Sequence, residues 1–229
     1  FGEAFSYYPL TNTFQYYGPM HDGIVWPLYI IPQDKYLSPT WLLGSSSQAN
    51  VKVWPPSGDR IGECLGWNLT LDEVVVLCKQ MADKWEEGMQ HLKGIEKKYR
   101  HDNDRILDLV VTKAVQIHLK SSYNILRFYL TREKMFRTAS DKEKMEMLLE
   151  MEHIVREEIK QSEEMISLCF KDSRLGYHSE AEGYKYYPEK LKWRVEQLKT
   201  VLKNDFPLVR QKITNNEELF PEYTGAKTG

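Results

Sequence analysis

Between Asp172 and Tyr184 the chain gathers Arg174, His178, the carboxylates Asp172, Glu180 and Glu182, and the phenols Tyr177 and Tyr184, with Gly176 and Gly183 among them. The glycines allow sharp turns. A guanidinium, an imidazole, carboxylates and phenols in one loop can hydrogen bond to a hydroxyl-rich ligand, and loops at the end of a rigid scaffold commonly present binding groups. The same residues also have a structural use, with Asp172 and Arg174 capping helix ends and the tyrosines covering the open end of the helices. Both readings stand at this level.

A second group, Tyr16, Tyr17, His21, Asp22 and Trp26, is interleaved with Gly18, Pro19, Gly23 and Pro27. Flat aromatic rings stack on the apolar faces of sugars and carboxylates accept from sugar hydroxyls, so the mixture suits a carbohydrate cleft; it equally suits a packing seam. His21 and Asp22 do not complete a triad, because no serine or cysteine stands in a recognisable nucleophile setting. Glu63, within Gly58-Asp59-Arg60-Ile61-Gly62-Glu63-Cys64, is an acid or base by residue type alone. His91, His118 and His153 have no ligand partner one helical turn away, and Cys64, Cys78 and Cys169 are too scattered for a zinc site or a disulfide framework. No metal and no cofactor is expected. Gly18, Gly23, Gly58 and Gly62 do not take nucleotide-binding spacing, and Asn68-Leu69-Thr70, a glycosylation pattern, is better used with Thr70 as a helix cap.

The elements that must position these groups divide the chain in two. Residues 1–68 hold seven of the ten prolines and four of the six tryptophans. Proline removes a backbone donor and biases its predecessor to extended backbone, so loops, turns and short strands are expected there; the aromatic content argues against disorder. From residue 69 the signals become helical. Thr70 and Glu73 read as a capping box, and Val74, Leu77, Met81, Trp85, Gly88, Leu92 and Ile95 make one stripe, predicting a helix over about 71–98. His101 to Asp104 supply a turn and cap, and Ile106, Val110, Ala114, Ile117, Ser121, Asn124 and Phe128 predict a second helix to about 138. Ser140 and Glu143 read as another capping box before a third helix ending near 171. Pro188 begins a fourth, which Pro207 should kink or end. Short turns between long helices imply an antiparallel up-down bundle, a mainly α fold preceded by an extended, loop-rich segment. The expected organisation is 1–68 as that segment, packed on the bundle or on an upstream domain, 69–216 as the helical bundle and 217–229 as a tail.

Composition narrows the partners. Thirty-one basic residues face 33 acidic ones, so no long-range field attracts nucleic acid or an anionic membrane. No apolar run reaches the roughly 18–20 residues of a membrane span. The chain opens at Phe1 without an initiator methionine or signal peptide, so its start is expected to be a boundary within a longer polypeptide.

The string Asp172-Ser173-Arg174-Leu175-Gly176-Tyr177, followed by Glu180, Tyr184 and Pro188-Glu189-Lys190-Leu191-Lys192-Trp193, resembles the C-terminal helical region of large bacterial glycoside-hydrolase-like proteins. Tyr17-Gly18-Pro19, Trp26-Pro27-Leu28 and the Gly58 to Glu63 stretch resemble the region preceding it. The resemblance implies a noncatalytic C-terminal domain completing a sugar-binding cleft, with the catalytic part upstream on the same polypeptide and a periplasmic or secreted location. Its binding residues would be Tyr17, His21, Asp22, Trp26, Arg174, Tyr177, His178, Glu180, Glu182 and Tyr184, with an oligosaccharide as ligand. The alternatives are a protein-interaction or assembly module without a ligand, and an autonomous hydrolase using Glu63 or Glu180.

Overall fold

Helix starts are set by side chains that occupy the orphan amides of the first turn. In the computed structural model, which describes residues 1–10, 18–32, 69–178 and 183–223, Thr70 accepts from the Glu73 amide while Glu73 accepts from the Thr70 amide, and helix follows. A 3-10 turn (Gly2–Tyr7) and a single α-turn, α1 (Pro19–Asp22), precede it, the latter running into a 3-10 turn at Gly23–Val25. The long helices are α2 (Leu71–His91), α4 (Asn103–Arg137) and α5 (Asp141–Lys171), with a short α3 (Ile95–Lys98) between the first two. Strands β1 (Tyr177–His178) and β2 (Gly183–Tyr184) form a small antiparallel ribbon before α6 (Pro188–Thr200) and α7 (Phe206–Thr214). The described chain is mainly helical.

Three details differ from the sequence reading. The first helix does not run to residue 98: it stops at His91, and Gly94 takes a left-handed conformation at φ 86° before α3. The second capping box is half formed, because Glu143 accepts from the Thr138 hydroxyl (2.5 Å) while Ser140 alone serves the Glu143 amide. Pro207, expected to kink or end the last helix, does not end it; a π-helical turn over Val201–Asp205 directly before α7 takes up the local disruption where the proline has no amide to donate.

Helices α4 and α5 run in opposite directions, as three ion pairs show. Lys113 meets Glu164 (3.4 Å), Lys120 meets Glu157 (3.7 Å) and Arg127 meets Glu150 (2.6 Å), so each step of seven forward on one helix is a step of seven back on the other. Each such partly exposed pair contributes little, ~0.2–1 kcal/mol, but a slipped register would lose all three. Beneath them lie two apolar clusters. The larger includes Val74, Met81, Phe128, Met151 and Leu198, and the smaller, toward the end carrying the β-ribbon, includes Val110, Ile117, Met165, Leu168 and Leu191.

The N-terminal segment belongs to both clusters. Ile24, Val25, Trp26, Leu28 and Ile30 are fully buried although residues 26–29 have no helix or ladder to satisfy their backbone. The helices supply the partners. Arg194 Nε donates to the Trp26 carbonyl (2.9 Å), the Tyr129 hydroxyl to Pro27 (2.8 Å), Gln197 Nε2 to Leu28 (2.7 Å) and Arg132 Nη1 to Tyr29 (3.0 Å). Arg194 is itself wholly buried and is neutralised by Glu158 (2.8 Å), whose carboxylate also accepts from Ser121 (2.5 Å) and Asn124 (2.8 Å).

Removing one partner of a buried pair costs about 3–5 kcal/mol, whereas replacing both by apolar groups is often close to neutral. Glu158→Leu is therefore expected to lower the unfolding free energy by about 3–5 kcal/mol, read from urea denaturation. Glu158→Leu with Arg194→Met should cost less than the single change. A single-variant loss no larger than that of the partly exposed Glu157→Leu would refute the burial argument.

Candidate functional site

Two of the chemically loaded sequence segments meet at one end of the helices. The turn α1 is framed by Gly18 (φ 96°) and Gly23 (φ 66°), which lets it project His21 and Asp22 toward the β-ribbon. The ribbon is anchored at Gly176, φ 82°, where a Cβ would occupy the space of the Tyr186 carbonyl oxygen; the Lys185 amide closes it by donating to the Gly176 carbonyl (2.8 Å). Tyr177 pairs with Tyr184 and His178 with Gly183. His21 and His178 thereby come together edge to face, ring centroids 5.3 Å apart.

Lys185 is the link. Its buried ammonium lies against the His21 ring, in contact with Nε2 and 2.7 Å from Nδ1, and donates to the His21 carbonyl (3.2 Å). The same Nδ1 is 3.3 Å from an oxygen of the fully buried Asp22 carboxylate. Nδ1 thus faces an ammonium, which needs a lone pair, and a carboxylate, which needs a proton, so the tautomer of His21 decides which of the two it serves, with Nε2 left to Lys185 when Nδ1 carries the proton. Lys190, half-buried at the start of α6, has its pKa lowered by burial, partly offset by Asp22.

Below this layer His118 on α4 donates from Nε2 to the Met20 carbonyl (2.7 Å), and Ser122 one turn on donates to Pro19 (3.0 Å). The His118 imidazole packs on Gly23, where a Cβ would stand 2.7 Å from two ring atoms. Burial lowers its pKa, and the neighbouring Lys185 and His21 push the same way against the Met20 carbonyl and Asp22.

The ten candidate residues have separate fates. His21, Asp22 and His178 converge. Tyr177 and Tyr184 form an edge-to-face pair, centroids 5.4 Å apart and 54% and 48% exposed, with the Tyr184 hydroxyl donating to the Ser173 carbonyl (2.9 Å). Trp26 does not reach solvent, so stacking on a ligand is not open to it; its role is in the core. Arg174 is held at the end of α5 by Asp172, through Nε (2.9 Å) and Nη2 (2.7 Å), and this pairing keeps the Asp172 carboxyl below its usual range. Tyr17, Glu180 and Glu182, like Tyr16 and Glu63, lie outside the described residues.

Lys185, His118 and Lys190 were not among the binding residues expected from the sequence. Lys185 sits one place beyond the loaded loop, and His118 is one residue off the apolar stripe of α4, so only the fold brings them to α1. The arrangement can share protons and bind polar groups. Burial pushes the Cys78 thiol up to about 12 and that of Cys169 up to about 11, which removes both as thiolate nucleophiles near neutral pH. Among the described residues no three histidine, cysteine, aspartate or glutamate side chains converge as metal ligands, and no helix is long and apolar enough to cross a membrane. Comparison with protein-family models, with curated proteins and with solved structures finds no match for the chain.

Because the folded-state pKa of His118 lies below its ordinary 6.5, the unfolded chain takes up a proton that the folded chain refuses. Stability is thus full above pH ~6.5 and falls as the pH drops below that value toward the folded pKa. Thermal unfolding between pH 7.5 and 5 should show this loss, and His118→Gln should flatten the pH dependence. An identical pH profile in the variant would remove His118 as its cause.

Proposed function

We propose that this chain is a noncatalytic helical domain of a carbohydrate-active, glycoside-hydrolase-like bacterial protein, and that the ribbon end of its helices adds contacts to an oligosaccharide. In this reading the helical stretches α2 with α3, α4, α5, and α6 with α7 form an antiparallel up-down bundle that serves as a stiff support, while the catalytic residues lie upstream on the same polypeptide. Support comes chiefly from the Tyr177 and Tyr184 pair. Two rings held by a ribbon and about half exposed offer apolar surface with polar tips, the mixture that suits a ring with one apolar face and a rim of hydroxyls. His178, beside them in β1, supplies a hydrogen-bonding imidazole.

A second reading is favoured by a different observation. Phe170, Tyr187 and Trp193, near the same junction in sequence, are 70%, 44% and 48% exposed. Exposed aromatics in this number suit docking on a protein surface, such as the upstream domain itself.

Isothermal calorimetry with a panel of plant and host oligosaccharides separates the two. Under the sugar reading at least one oligosaccharide binds, and Tyr177→Ala with Tyr184→Ala weakens it by about tenfold or more, that is by at least about 1.4 kcal/mol. Absence of heat across the panel would retire the sugar reading in favour of docking.

A further inference from the structure

We infer that the cavity between the end of α2, the start of α4 and the end of α5 is a binding site for a small amphiphilic anion, an apolar body carrying one carboxylate or sulfate. It follows from the helix break at residues 92–94. The apolar stripe of the first helix continues in the sequence to Ile95, but regular helix stops at His91 and α3 buries none of its residues. At the break Leu92, the one residue of that stripe that lines it, faces an open volume of about 440 Å³ together with Met89, Ile106, Leu109, Val110 and Leu168. Pockets for small organic ligands run from about 300 to 1,000 Å³.

The rim fixes the sign of the head group. The charged residues that line the cavity are Lys93, Lys113, Lys171, Glu96 and Glu164. Lys113 and Glu164 are 3.4 Å apart and cancel. Two cations then oppose Glu96, and neither Lys93 nor Lys171 has an ion-pair partner among the described residues. Lysine stems lie along apolar surface while their ammonium groups stay in water, so a ligand whose tail covers the floor leaves its head at the level of these amines. An anionic head gains from them, and a cationic head is repelled. Gly94 leaves the approach open, with no atom within 4 Å of where a Cβ would stand. Tyr177, Tyr184 and His178 do not line this cavity, so the inference is independent of the sugar reading.

The test titrates the whole chain calorimetrically with dodecanoate below its micellar concentration, with dodecyltrimethylammonium as the same tail under a cationic head, and with butyrate as a head without a tail. Saturable one-to-one binding of dodecanoate is expected, weaker by on the order of tenfold for dodecyltrimethylammonium and without detectable heat for butyrate. Lys93→Glu with Lys171→Glu, both on the surface, should reverse the head-group preference. Leu109→Trp should fill the cavity and abolish binding while the helical circular dichroism is kept; if that variant does not fold, the lysine variant decides. Absence of saturable dodecanoate binding, equal affinity for both heads, or indifference to the lysine variant would overturn the inference. So would loss of dodecanoate binding in Tyr177→Ala with Tyr184→Ala, since that would assign the tail to the ribbon.

Discussion

An extended stretch of backbone buried among helices can send its carbonyl groups only to the side chains around it, and much of this structure is arranged to meet that need. An unmet buried polar group costs about 1–3 kcal/mol, so a run of four or five would offset a large part of a domain's net stability. Here Arg194, Tyr129, Gln197 and Arg132 serve successive carbonyls from Trp26 to Tyr29, while His118 and Ser122 serve Met20 and Pro19. These donors come from two helices, α4 and α6, so the segment ties them together through backbone atoms whose positions do not depend on rotamers. A shift of the segment by one residue would turn each carbonyl away from its donor. That requirement fixes where α1 stands, and therefore where His21 and Asp22 point.

The donors must themselves be held, which explains the buried charges. Arg194 is fixed by Glu158 and Ser162, and Glu158 in turn by Ser121 and Asn124, so one network couples α4, α5 and α6. Arg132 forms a second node. It donates to Glu133 (2.9 Å) and to the Tyr223 hydroxyl (3.0 Å), stands over the Tyr129 and Tyr223 rings, and holds the Tyr29 carbonyl. The N-terminal segment and residues near the C-terminus thus share one guanidinium. Buried ion pairs contribute little net stability compared with apolar packing of the same shape. Their value in this protein is positional: each guanidinium has several donors in a fixed fork and can satisfy a carboxylate and a carbonyl together.

The helices were legible because their apolar spacing, the caps at Thr70, Asp102 and Ser140, and Pro188 as a first-turn residue all agree locally. The network left a trace as well. Ser121, Asn124 and Ser162 occupy positions in otherwise apolar stripes, and these are the residues that bind Glu158 or Arg194. The break after His91 was less legible, because the apolar spacing through Leu92 and Ile95 is compatible with continued helix while Gly94 is a stop signal; the stop prevailed, since left-handed backbone at Gly94 costs little. The proline-rich, aromatic composition of the N-terminal part argued for an extended, ordered segment but could not say that Trp26 to Ile30 enter the core. That depends on contacts between residues more than a hundred places apart, and no local pattern encodes which helix side chain will meet which carbonyl. The meeting of His21 with His178 and Lys185 was hidden for the same reason.

The order of the ribbon end follows from the same constraint. The Lys185 ammonium is buried, and the protein groups within its reach include the His21 ring and carbonyl, which belong to α1. The position of α1 is set by His118 and Ser122 on α4, and the close contact of His118 with Gly23 leaves no room for a side chain at that position. A chain of contacts therefore runs from α4 through α1 to Lys185, which follows β2 directly, and so to the strands that carry Tyr177 and Tyr184. Two strands of two residues each are too short to hold their own geometry in water. The exposed tyrosine pair is held by Gly176, by Tyr184 on Ser173 and by this imidazole contact, so a change that unseats α1 from α4 would disorder the aromatic surface without touching either tyrosine.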